Sequence, residues 1–364
     1  MKRIGFVVLA CWLACLTCAS SGSHAAVFGN GMRRAFYYWK TVCALTTDDL
    51  EYVRRLRVER LYVKFFDVDW FDSAPRGAFP VAPVRFGAPL PTGIEIVPTV
   101  FLTNATVRRI PRDDIPTLAG QITQKIQRMA KAANLPPIRE IQIDCDWTGA
   151  TRAAYFTLLQ AIVDLMQPQQ IDVSATIRLH QVKYRDEMGI PPVARGMLMC
   201  YNMASPKDAD TQNAIFDLPL VENYLRRVET YPLPLDVALP LFSWGAVYRR
   251  ERFIMLINNA RTADFDGRTE FERDEDGMFA AKEDATIRGQ DVFKGERVRV
   301  DEPRMEHVQR LARFLAAKLG NAPVSVAWFH YDPAVVKHYD INDINQAYLP
   351  FDVIAYWRKL WNGK

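Results

Sequence analysis

The chain has 364 residues, 49% hydrophobic, 24% charged and 12% aromatic, with 18 glycines and 22 prolines and a formal charge of +4. This is the balance of a globular protein, and it excludes collagen-like, coiled-coil and largely disordered chains. So small a charge over this length supplies no basic field for nucleic acid, and no RNA- or DNA-binding motif is present, so no nucleic-acid partner is expected.

The N-terminus reads as an export signal. Lys2 and Arg3 precede an apolar run over residues 4–16, followed by small and polar residues through Ala26. Ser23 and Ala25 give the small residues that signal peptidase needs at −3 and −1. The run is well short of the ~20 apolar residues of a spanning helix. The expected organisation is a signal peptide over 1–25 and one mature domain over 26–364, periplasmic or secreted, with no transmembrane segment after the signal. Cys11, Cys15 and Cys18 keep a lipoprotein variant open, although Thr17 before Cys18 and Trp12 three before Cys15 fit no lipobox. Of the remaining cysteines, Cys43, Cys145 and Cys200 are widely spaced and odd in number, which points to buried free thiols. One disulfide stays open in an oxidising compartment.

Eight short apolar runs, rich in β-branched and aromatic residues, follow at 35–39, 60–66, 94–102, 140–146, 171–178, 196–203, 235–243 and 324–331. Helical periods lie between most of them. One opens at Thr46 to Asp49 with N-cap chemistry, and another carries apolar residues at three- and four-residue steps over 115–133. Strands alternating with helices imply parallel pairing, and eight of them predict a closed (β/α)8 TIM barrel. An open dinucleotide-binding sheet is the rival, but no GxGxxG follows any strand. Two stretches break the alternation. Residues 72–91 are Pro- and Gly-rich and replace or precede a short second helix. Residues 245–303 are highly charged, with small strands expected near 253–257, 278–281 and 297–300, and read as a β-rich insertion between strand seven and its helix.

Barrel chemistry collects at the C-terminal ends of the strands. On the fourth, Asp144 and Asp146 stand two apart and leave the same strand face. Crowding such a pair raises one pKa and leaves the other carboxylate ionised, as acid/base work on a sugar requires. Asp67 and Asp69 on strand two repeat that spacing and offer a second carboxylate, with Asp67 equally a structural partner of Lys64. The other tips carry Trp39, Arg178 and His180, Tyr201 and Asn202, Trp244 and Trp328, and Trp147 follows the strand-four pair. Aromatic faces stack on sugar rings, while Asn, Arg and His bond hydroxyls. Histidines at only two tips make no metal site, and no cofactor is expected.

The segment Ile143-Asp144-Cys145-Asp146-Trp147 resembles the IDxDW core of the strand-four motif DxxDxDxE of chitinase-like, family-18 glycoside hydrolases. Residues 199–203 resemble that family's sixth-strand MxYD segment, with Tyr201 in the tyrosine position and Asn202 in place of Asp. Residues 237–242 resemble its seventh-strand apolar-Pro-aromatic segment, and the family also carries an insertion where 245–303 lies. Over more of the chain, residues 61–70, 141–147, 176–181 and 196–203 resemble a bacterial family of secreted barrel proteins of unknown function, which names a fold and no reaction.

The chitinase-like resemblance implies a glycoside hydrolase acting on a polysaccharide, yet the sequence departs from it at the decisive position. Where the family places its general-acid Glu this chain has Thr148, and Ile141 replaces the first motif Asp. A hydroxyl with a pKa far above 7 cannot protonate a glycosidic oxygen in that role. The leading expectation is an exported glycoside hydrolase-like barrel acting on or binding a cell-envelope or extracellular polysaccharide. Asp146 would be its main acid/base or stabilising group, Asp144 its pKa-tuning neighbour, and Asp67 or Asp69 a second carboxylate. The alternative is a catalytically inactive barrel that binds glycan or an envelope protein partner.

Overall fold

The computed structural model describes residues 32–73, 76–88, 90, 92–319 and 325–362; the expected signal peptide lies outside them. Eight parallel strands close into a barrel: β1 (Arg33–Tyr38), β2 (Val58–Phe71), β3 (Glu95–Leu102), β4 (Glu140–Asp144), β5 (Asp172–Arg178), β6 (Arg195–Met199), β7 (Leu235–Pro240) and β8 (Ser325–Phe329). Each pairs with the next in sequence, and β8 returns to β1. Every strand falls on one of the eight apolar runs. Helices cover the outside. Helix Thr47–Arg55 starts in a capping box between Thr46 and Asp49, and Ile115–Ala132 buries Leu118, Ile122 and Ile126 against the sheet. Among the described residues, no helix is long and apolar enough to cross a membrane.

A barrel of this kind usually fills its interior with aliphatic side chains. This one is polar at its base. Arg60 is wholly buried and donates to Glu140 at 2.8 Å, Glu95 at 3.0 Å, Ser325 at 3.1 Å and Tyr62 at 3.2 Å. Ser174 donates to the other oxygen of Glu140 at 2.7 Å, and Tyr37 donates to Gln142 at 2.5 Å. A second buried pair joins Arg195 to Asp236 at 3.0 Å. Buried charges are tolerated only when paired and hydrogen-bonded, and here each strand supplies part of the pairing.

Two connections depart from the alternation. Instead of leading into a helix, β2 runs on past the barrel rim to Phe71 and pairs antiparallel with Gly77–Val81. Between β7 and helix Met305–Lys318, five strands form an antiparallel sheet in the order Arg252–Asn258, Trp244–Arg249, Arg297–Asp301, Phe279–Ala281, Phe271–Arg273. That sheet has its own apolar core around Val247, Ile257, Phe271 and Val298. Cys43, Cys145 and Cys200 are buried free thiols.

Removing Arg60 should leave the Glu140 carboxylate buried and unpaired. Arg60→Met is expected to lose about 3–5 kcal/mol of stability in urea unfolding, and Arg60→Met/Glu140→Leu to regain most of it. Equal loss in the single and double variants would show that the pair is not the source.

Candidate functional site

The mouth of the barrel is set by which residues of each strand point inward. On β4 the inward set is Glu140, Gln142 and Asp144, while Ile141 and Ile143 pack under the helices. On β2 the inward set begins with Arg60, Tyr62 and Lys64. Simple alternation would then turn Asp67 outward. The register slips between Lys64 and Phe66, leaving Phe65 as an extra residue, and this bulge returns Asp67 to the inner face. There Asp67 accepts from Lys64 at 3.1 Å, and the Lys64 ammonium also lies 5.7 Å from the Trp39 ring centroid.

The two strand-four acids meet different surroundings. Asp146 sits at the rim in a two-pronged ion pair with Arg178, whose Nε and Nη2 donate at 2.5 and 3.0 Å. Partial burial raises the Asp146 carboxyl, but the hydrogen bonds and charge of Arg178, helped by His180, outweigh it and hold the carboxyl below its ordinary value. Asp144 is buried one layer lower and accepts from Thr176 at 2.7 Å. Burial, then the charge of Asp146, pushes it from 3.8 up to about 6, against the opposing pull of Arg178 and Thr176. Burial and the Arg178 charge lower His180, and the Asp146 charge partly offsets them.

A cleft of about 460 Å³ opens beside the Asp146–Arg178 ion pair, lined by Asp146, Trp147, Thr148, Arg178, His180, Tyr201 and Asn202 among others. Beside it lies a floor of aromatic rings centred on Phe329. Its ring centroid is 4.8 Å from that of Tyr201 and 5.5 Å from those of Tyr37, Trp39 and Phe242. Tyr201 is buried, with its hydroxyl against the Met199 sulfur at 3.1 Å. Trp244 extends the floor at 5.5 Å from Phe242, and its indole N–H donates to Asp301 at 2.7 Å. Asn202 adopts φ 54°, which turns the chain sharply out of β6. The inserted sheet holds the loop that follows: Tyr248 donates to the Pro206 carbonyl and Arg299 to the Asp208 carbonyl, both at 2.5 Å.

Thus Asp144, Asp146, Asp67, Arg178, His180, Tyr201, Asn202 and Trp39 gather at one mouth. Two expected binding tryptophans present no open ring there, although Trp147 borders the cleft. Trp328 points outward from β8 and meets Tyr348 of the last helix at 6.2 Å, because its neighbour Phe329 takes the inward position. Trp147 is fully buried, stacked 5.2 Å from Tyr155 with its N–H on the Met188 carbonyl, so it offers a sugar no face. Asp69 is taken up locally, accepting from Thr103 at 2.9 Å and from the Trp70 amide at 2.8 Å. Thr148 belongs to the start of helix Arg152–Met166, its amide donating to the Thr151 hydroxyl at 2.9 Å. The expected pairing of Asp67 with Lys64 is present, while Phe329, Phe242 and Tyr37 join the mouth unannounced by the strand tips; inward alternation along each strand was the signal that could have found them.

The same architecture occurs in solved glycoside hydrolases. The chain superposes on a chitinase from Chromobacterium violaceum with a TM-score of 0.52 at 12% identity, covering 87% of this chain and 99% of that one. Against the spore cortex-lytic enzyme SleL of Bacillus megaterium the TM-score is 0.52 at 15% identity, with 86% and 74% covered. A class V chitinase from Nicotiana tobaccum, also solved as a mutant in complex with NAG4, gives 0.51 at 10% identity, with 87% and 98% covered. These likenesses establish the chitinase-like barrel fold. No protein-family model and no curated protein matches the sequence.

The raised Asp144 group links stability to pH. Between 3.8 and about 6 the folded chain keeps a proton that the unfolded chain has lost. The stability this contributes is therefore present below 3.8 and lost as pH rises through 6. Asp144→Asn should gain on the wild type by up to ~3 kcal/mol between pH 4 and 7 in urea unfolding. Parallel pH profiles for the two proteins would contradict this assignment.

Proposed function

We propose that this chain is an exported barrel that holds a cell-envelope or extracellular polysaccharide in its mouth and does not cleave it by the chitinase mechanism. The observation that carries this reading is a mouth that combines an aromatic floor with carboxylates already engaged elsewhere. Trp39 and Phe329 are half-buried, so part of each ring remains open beside the cleft. Such faces stack on the C–H surface of a sugar, and the rim groups His180 and Asn202 can bond its hydroxyls.

The acids suit binding better than proton transfer. Asp146 is locked to Arg178 and ionised, Asp67 is tied to Lys64, and the position of the family's proton donor is Thr148. An ionised carboxylate held by two guanidinium hydrogen bonds has no proton to give a leaving group. Export is supported by the sequence of residues 1–25.

One observation favours hydrolysis as a second reading. Asp144, held near 6, is partly protonated close to neutrality and could serve as an unconventional proton donor. Purified protein screened against chitin, peptidoglycan, β-glucan and exopolysaccharide separates the two readings. Binding is expected with no release of reducing ends, and Trp39→Ala should weaken it roughly fivefold to tenfold. Reducing ends released by the wild type and abolished by Asp144→Asn would establish the enzyme instead. Neither binding nor turnover across the panel would sink both readings.

A further inference from the structure

A second cleft lies away from the mouth. It occupies the flank between the β2 extension, with its partner Gly77–Val81, and helix Ile115–Ala132, and measures about 790 Å³ against about 460 Å³ for the mouth cleft. Alternation along the extension explains part of its lining, to which Gly77 and Phe79 also contribute. Asp67 faces the barrel mouth, so Val68 and Trp70 face the flank. Their cross-strand partners Pro80 and Ala78 stand on the same side and line the cleft with Trp70.

Four cations converge on this cleft from three elements: Arg76, Arg109, Lys125 and Arg128. Asp114 is the one carboxylate in the lining. Part of the arrangement is fixed in advance. Asp72 accepts from the Trp70 indole at 3.0 Å and from Arg109 at 2.7 Å, so one carboxylate orients both the ring and a guanidinium. Lys125 lies 5.4 Å from the Phe66 ring centroid. Arg76 and Arg128 are exposed, and among the described residues no carboxylate forms an ion pair with either.

We infer that this flank binds a segment of an acidic polysaccharide, with a sugar ring against Trp70 and its carboxylates on Arg76, Lys125 and Arg128. The inference rests on the glycan reading above and gives it a substrate class: a chain that carries negative charge. A recessed cleft with its tryptophan held by Asp72 suits a polymer strand. A flat, mobile face suited to a lipid surface would look different. Pre-ordering the ring and one cation lowers the entropy lost on binding. The mouth offers no such free cations, because its Arg178 and Lys64 are already paired with Asp146 and Asp67.

Calorimetric titration with oligomeric polygalacturonate, and with uncharged dextran as control, tests the assignment. Wild-type protein should bind polygalacturonate, more weakly as salt is added. Arg76→Glu/Arg128→Glu should lose about tenfold or more in affinity, since charge-assisted bonds are reversed at two exposed positions. Arg128→Ala should lose less. Arg313→Glu, the same charge change at an exposed residue that lines neither cleft, should leave polygalacturonate binding unchanged. Uncharged chitin and β-glucan, which test the mouth, should bind the double variant as they bind the wild type, so failure of the mouth reading and failure of the flank reading separate. The proposal is overturned if wild-type protein ignores polygalacturonate, or if the double variant binds it as tightly as the wild type. It is equally overturned if phosphatidylglycerol vesicles bind as tightly as polygalacturonate.

Discussion

The pairing of buried Arg60 with Glu140 and Glu95 is the constraint on which the rest of the barrel depends. Each strand has two faces, and a slip of one residue exchanges them. In β4 such a slip would turn Ile141 and Ile143 into the barrel and drive Glu140 under the helices without a partner. The cost of an unpaired buried charge excludes that arrangement. Once Glu140 faces Arg60, Gln142 must face Tyr37 and Asp144 must face the mouth. The position of the candidate acid is therefore a consequence of an ion pair two layers below it. On β2 the same phase, carried upward from Arg60, would turn Asp67 away; the extra residue Phe65 resets it.

The mouth divides two acids that lie two residues apart in sequence. Asp146 has the open rim and Arg178, which favour its charge. Asp144 has burial and a charged neighbour, which oppose its own. Environments that push two carboxyl groups apart can assign acid and base roles in a hydrolase. Here the ionised member is held by a guanidinium and the raised member is enclosed, and Thr148 serves the start of a helix. The fold is that of chitinases, but function belongs to the site, and in this site two of the carboxylates, Asp146 and Asp67, stand in ion pairs with Arg178 and Lys64.

The fold was legible because runs buried on both faces leave a strong apolar signal, and eight of them alternate with amphipathic helices. The site was legible only where a side chain's direction follows from spacing alone. Asp144 and Asp146 read correctly as neighbours, and Arg178 was recognised at its strand tip. Trp328 was expected at the mouth as an aromatic at a strand tip, whereas strand phase turns it outward and its neighbour Phe329 inward. No local pattern announces the bulge at Phe65, whose carbonyl accepts from the Val84 amide of a distant loop at 2.7 Å. The Arg178–Asp146 pair joins two strands and has no sequence signature at all. Residues 72–91 left a replacement for the second helix open, and the hairpin that fills the place depends on long-range pairing with β2.

The most direct measurement of the central claim is a crystal structure of the protein with an intact oligosaccharide from whichever polysaccharide it retains. The account predicts a sugar ring over Trp39 and Phe329, all glycosidic bonds whole, and Arg178 still bonded to both oxygens of Asp146. A ring seated away from that floor, or Asp146 released from Arg178 and turned toward a glycosidic oxygen, would contradict it.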